Sequence, residues 1–118
     1  MILPQGKQII SLGEESYLDT DHEILVKDNL HCSLSRLEFR LIYCLATRAG
    51  EIVSPKELIN FTWMKSEYVD PQVLYVYINR IRRKIEDNPK SPECIIAIPK
   101  VGYMFIPRRK KYPKKTKK

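Results

Sequence analysis

Between Pro71 and Asp87 the chain reads PQVLYVYINRIRRKIED, and Leu74, Ile78, Ile81 and Ile85 recur at i, i+4, i+7 and i+11. That spacing lays a single apolar stripe along a helix. At about 100° per residue the far side carries Gln72, Val76, Asn79, Arg80 and Arg83, polar donors with one bare valine among them. Asp70 followed by Pro71 supplies a cap residue and then a ring already set at helical φ. Two earlier helices start behind capping boxes, Ser35-Arg36-Leu37-Glu38 and Ser54-Pro55-Lys56-Glu57, in which serine and glutamate satisfy each other's orphan amides. The first is expected to bury Leu37, Leu41, Cys44 and Leu45 and to stop at Gly50. Leu58, Ile59 and Trp63 anchor the second.

Elsewhere the pattern is that of strands. QIISL (8–12), SYLD (16–19), EILV (23–26) and LHCS (30–33) are separated by the turn-like clusters GEE, TDH and KDN. Strands this short must lie against something apolar. EIVS (51–54) is a very short extended segment, and MKSEYVD (64–70) is a connecting loop. ECIIAI (93–98) and GYMFI (102–106) form a hairpin, with Gly102 available for its turn. The order predicts an α+β fold: a winged helix-turn-helix with an N-terminal four-stranded antiparallel sheet, three helices and a C-terminal β-hairpin wing. The folded domain is expected over residues 1–107, with a basic, disordered tail over 108–118.

Charge placement changes this picture more than composition does. The chain of 118 residues has a net charge of +7, but residues 108–118 hold eight of its 21 basic residues and no acid. Residues 1–70 carry 7 basic and 11 acidic side chains, whereas 71–107 carry 6 and 3. Any polyanion-binding face therefore belongs to the last helix and the segments C-terminal to it. The tail itself has three readings: a solvated end, a source of non-specific phosphate contacts, or a basic segment beside a membrane anchor.

Other chemistry is thin. Cys32, Cys44 and Cys94 show no metal-ligand spacing and are read as reduced thiols, and His22 and His31 have no ligand grouping. No nucleophile–base set, glycine-rich phosphate loop or carboxylate cluster argues for an enzyme, and no cofactor is expected. No run approaches the roughly 18 apolar residues of a membrane span, and no secretory signal is read at the N-terminus, so the expected location is cytoplasmic.

Three segments, LSRLEFRLIYCLATRAGEIVSPKELINFTW, VYINRIRRKI and IIAIPKVGYMFI, together resemble the OmpR/PhoB-type DNA-binding domain of bacterial response regulators. The resemblance covers roughly residues 8 to 106 in order, spacing and type. It departs at Tyr75, where an Asp is usual, and at Tyr77, where a His is frequent. In the hairpin, Pro99 and Lys100 stand where Arg and Gly are usual, a form similar to the ToxR/CadC branch. The resemblance implies a transcription regulator's effector domain in two-component phosphorelay signalling. Its partners would be double-stranded DNA, RNA polymerase and a second copy on tandem half-sites about one helical turn apart. The receiver domain usual in the family is not expected within these 118 residues, so the chain is either regulated from elsewhere or part of a larger protein.

The outward face suits DNA residue by residue. Asn79 has the groups to pair with adenine, Arg80 and Arg83 with guanine or phosphate, and Val76 to meet a thymine methyl. Gln72 lies near the helix N-terminus, where amides favour phosphate, and Val73 belongs to the same face. Arg82 flanks the apolar stripe, within reach of base or backbone, and the resemblance favours DNA. Tyr77 either shields the core or donates to phosphate; Lys84 either lies along the surface or touches phosphate. Lys100 at the hairpin tip is the wing cation or simply an exposed turn lysine. Met64, Lys65, Glu67 and Tyr68 are the polymerase or protomer contacts if their loop is more than a connector. The competing reading is a winged-helix interaction module whose basic face docks an acidic protein.

Overall fold

The structure, a computed structural model, describes residues 8–64 and 69–110. Four short strands, β1 (Ile9–Ser11), β2 (Ser16–Asp19), β3 (Ile24–Lys27) and β4 (Leu30–Ser33), pair antiparallel in sequence order. Helix α1 (Arg36–Ala46) follows, then β5 (Ile52–Val53), α2 (Pro55–Trp63), α3 (Pro71–Ile85), β6 (Ile95–Ile98) and β7 (Gly102–Phe105). The expected elements are all present. One addition comes from tertiary pairing: β5 joins the hairpin as its third strand, in the order β5-β7-β6.

Helix α1 touches both sheets, and its exposure is lower than one stripe would give. Phe39, Leu41, Ile42, Cys44, Leu45 and Ala46 are all buried, whereas Leu37 is half-buried. They join Leu12, Leu18 and Leu25 of the first sheet, Leu58 of α2, the α3 stripe and Phe105 of β7 in one core. Both capping boxes are formed: Ser35 with Glu38, and Ser54 with Glu57.

Two glycines have other duties than those expected. Helix α1 ends at Ala46, capped by Thr47, whose hydroxyl donates to the Tyr43 carbonyl at 2.8 Å. Gly50 lies three residues further on at φ +86°, and its N–H donates to the Phe105 carbonyl at 2.9 Å. In the hairpin, the tight turn is made by Pro99 and Lys100, with Lys100 at φ +67° and the Val101 N–H bonded to the Ile98 carbonyl. Gly102 is instead the first residue of β7, paired with Ile98. A Cβ there would sit 2.1 Å from the Val53 carbonyl oxygen, so the missing side chain admits β5.

The expected domain boundary at residue 107 is corrected. Arg108 is 5% exposed. Its backbone bridges Gly13, and its guanidinium reaches Asp28 at 2.9 and 3.0 Å and Asp87 at 2.8 Å. Lys27 and Lys110 extend this ionic cluster, Lys27 to Asp87 and Lys110 to Asp28 and Glu15. The cluster joins the β3–β4 turn, the end of α3 and the segment after β7. A basic residue following a run of apolar ones reads as tail because its two carboxylates lie far away in sequence. The expected disorder of the last eight residues, 111–118, lies outside the described residues.

Hydrogen bonding to Arg108 holds the Asp28 carboxyl at about 2 and keeps Asp87 below its ordinary value of 3.8. Carboxyls depressed on folding stabilise fully above the unfolded value and lose that contribution as pH falls through the folded one. The urea midpoint should therefore fall between about pH 4 and pH 2, and Arg108→Ala should fall less steeply over that window. Separately, Gly102→Ala should lower stability by about 1–3 kcal/mol in chemical denaturation, because Val53 must move aside.

Candidate nucleic-acid interface

Helix α3 is built to hold one orientation. Asp70 caps it, its carboxylate accepting from the Gln72 N–H at 2.8 Å, and Pro71 fills the first position. Leu74, Ile78, Ile81 and Ile85 are no more than 2% exposed. Burial of these four side chains leaves only one face for solvent, the face centred on Gln72, Val76 and Arg83. All three are exposed, as are Val73, Tyr75 and Arg80, while Asn79 is half-buried at the margin. Val76 keeps 46% and Val73 38% of their surface.

The cations of that face differ in how they are held. The Arg80 guanidinium lies 4.8 Å from the centroid of the Tyr77 ring. Tyr77 in turn meets Trp63 of α2 edge-on, with centroids 5.5 Å apart and planes at 89°. Tyr77 is thus packed against the core and serves as a platform for Arg80. Trp63 touches α3 through this ring rather than only filling the core. Arg83 is exposed, and Arg80, Arg83 and Lys100 make no ion pair among the described residues. Lys100 stands exposed at the tip of the β6–β7 turn.

Arg82 is engaged internally. Its Nε and Nη2 both donate to the Ile95 carbonyl, at 3.2 and 2.8 Å, and Nη1 reaches Asn79 Oδ1 at 3.5 Å. It ties α3 to the first residue of β6. Lys84 likewise is no free surface cation: its Nζ donates to Glu38 at 2.7 Å and to the Ser33 carbonyl at 2.9 Å. Burial would raise the Glu38 carboxyl, but the bonds from Lys84 and Ser35 outweigh it and the net shift is downward. Neither partner carbonyl could be found from α3 alone, since each belongs to a strand distant in sequence.

Sequence reasoning also missed Glu86. Its side chain, in a residue 4% exposed, accepts N–H bonds from Glu93, Cys94 and Ile95 at 2.8, 2.9 and 2.7 Å. A carboxylate one residue beyond the helix therefore gathers the start of the wing and fixes where the hairpin leaves α3. Burial pushes the Cys94 thiol up to about 12 and raises that of Cys44, so both stay protonated at neutral pH. Of the loop residues, Met64 ends α2 in a left-handed conformation at φ +55° and is 59% exposed. Lys65, Glu67 and Tyr68 lie outside the described residues.

Comparison with known proteins meets this geometry. The sequence matches the family described as "Transcriptional regulatory protein, C terminal" over residues 29–105. The probable transcriptional regulator ycf27 of Porphyra purpurea is 34% identical over 99 residues, which make up 82% of this chain and 40% of that protein. The chain therefore spans less than half of that relative. Among solved structures, the response regulator DrrB, a Thermotoga maritima OmpR/PhoB homologue, superposes with a TM-score of 0.74 at 32% identity, covering 83% of this chain and 44% of that one. The DNA-binding domain of Klebsiella pneumoniae RstA, solved in complex with the RstA box, gives a TM-score of 0.74 at 27% identity, covering 86% of this chain and 99% of that one.

The contrast between two neighbouring arginines is measurable. Arg82→Ala should lower stability by about 1–2 kcal/mol, because it strips a charged donor from the Ile95 carbonyl, while Arg83→Ala should stay within about 0.5 kcal/mol. Thermal melts of both variants beside the parent would show it.

Proposed function

The chain belongs to the OmpR/PhoB-type family of transcriptional regulatory C-terminal domains, and from that premise we propose that it binds double-stranded DNA in a sequence-specific manner. Helix α3 enters the major groove, and the β6–β7 hairpin acts as the wing on the flanking minor groove or backbone. The single observation carrying this is the outward face of α3. It offers three amide or guanidinium side chains, Asn79, Arg80 and Arg83, around the exposed Val76, with its cations unpaired among the described residues. A groove of about 12 Å accepts one helix, and base edges there present both polar groups and a methyl. RstA, a relative of known structure, was solved on its DNA box, which supports the same use here.

Placement supports a role for each residue. Asn79 reads a base edge; Arg80, pre-set over Tyr77, and Arg83 take guanine or phosphate; Gln72 serves phosphate near the helix start, and Val73 packs at the rim. Arg82 contributes by holding the wing against α3 and meets DNA only through what its two bonds to Ile95 leave free. Lys100 is the wing cation.

Finer partners belong to the same proposal. Two copies bind tandem half-sites about one helical turn apart, and the segment from Met64 to Tyr68 meets RNA polymerase or a neighbouring protomer. The domain serves bacterial, cytoplasmic transcription regulation of the two-component, phosphorelay kind. Among the described residues no helix is long and apolar enough to cross a membrane.

Specific binding should respond steeply to salt, each neutralised phosphate adding about −0.9 to the slope of log K against log salt. Asn79→Ala and Arg80→Ala should each cost about 1–3 kcal/mol on a selected duplex and relax its sequence preference. Fluorescence anisotropy on selected and scrambled duplexes tests this. Equal affinity of the parent for both would leave the protein-docking module as the better account.

A further inference from the structure

The exposed valine on α3 has an amide side chain, Asn79, beside it. Val76 and Asn79 are three residues apart on α3, so they are neighbours on its surface, with Cβ atoms about 5–6 Å apart. The Asn79 amide oxygen is the end that faces a donor within the protein, Arg82 Nη1 at 3.5 Å. Arg82 is fixed by two donations to the Ile95 carbonyl, and its remaining Nη1 points at Asn79 Oδ1. With the oxygen turned inward to that guanidinium, the end offered outward is the Nδ2 donor pair. An adenine pairing needs both ends of the amide, so the arrangement favours an acceptor instead.

In the major groove guanine offers acceptors but no methyl, cytosine offers a donor, and thymine alone places an acceptor, O4, beside a methyl group. Resting on the reading of α3 as the groove element, we propose that Val76 and Asn79 together read one thymine in each half-site. The thymine methyl seats against Val76, O4 accepts from Asn79 Nδ2, and Arg82 is the positioning residue that turns the amide. The 46% of Val76 left exposed is then the surface which the methyl covers.

The chain itself selects a duplex from random DNA. Each thymine of the selected half-site is then replaced singly by uracil, which removes only the methyl, or by 5-methylcytosine opposite guanine, which keeps the methyl and exchanges acceptor for donor. At one position uracil should weaken the parent about fourfold, the size of one buried methyl. At that same position 5-methylcytosine should weaken it about tenfold or more. Val76→Ala should bind the thymine and uracil duplexes alike. Asn79→Ala should lose the discrimination against 5-methylcytosine while keeping that against uracil. Arg82→Lys should reduce only the 5-methylcytosine discrimination, an effect that loosening of the fold would not confine to one base. A chain that selects a duplex whose thymines all tolerate uracil overturns this inference alone, as does uracil sensitivity undiminished in Val76→Ala. A chain that selects no duplex overturns the DNA-binding reading and this inference with it.

Discussion

Everything in this fold depends on one helix having one dry side. Leu74, Ile78, Ile81 and Ile85 are buried to within 2%, and together they place about 6–12 kcal/mol of apolar transfer on a single orientation of α3. Rotating the helix by even one residue would put charged side chains into the core. Because the stripe is narrow, the opposite face must meet solvent, and whatever that face carries is presented by a rigid element. The gain for function is positional: the backbone that carries these side chains loses little further freedom when they meet a partner.

A second constraint sets the wing. Arg82 and Glu86 lie at the end of α3 and bind the same short stretch from opposite polarities, the arginine taking the Ile95 carbonyl and the carboxylate taking the N–H groups of Glu93, Cys94 and Ile95. The hairpin is thereby fixed relative to the helix rather than hinged on it. From the other edge, β5 pairs with β7 through the opening left by Gly102. Helix and wing are one body, and the distance from the Val76 face to Lys100 is set by these contacts. Charge is divided along the same line: Arg82, Lys84 and Arg108 serve the scaffold, while Arg80, Arg83 and Lys100 face outward.

How legible was this in the sequence? Helix starts were, because capping is local chemistry: Ser35 with Glu38, Ser54 with Glu57, and Asp70 before Pro71 each act within four residues. The α3 stripe was legible for the same reason, since periodicity encodes burial. Helix ends and turns were less so. Gly50 and Gly102 stood where a stop and a turn were expected, but both answer to β7 and β5, strands that approach only after folding.

Local chemistry thus determined which segments are helix and strand, which face of α3 is apolar and which side chains stand opposite it. The tertiary structure decided what each cation does. Spacing sets Arg80 and Arg83 opposite the apolar stripe and Arg82 at its flank, but it does not say what Arg82, Lys84 or Arg108 holds. The difference among them lies in carbonyls and carboxylates brought close by the fold, Ile95 for Arg82, Glu38 for Lys84, and Asp28 with Asp87 for Arg108. Long-range proximity leaves no periodic trace in a chain, and for that reason spacing alone could neither name the groups that Arg82, Lys84 and Arg108 brace nor show that the fold continues past residue 107.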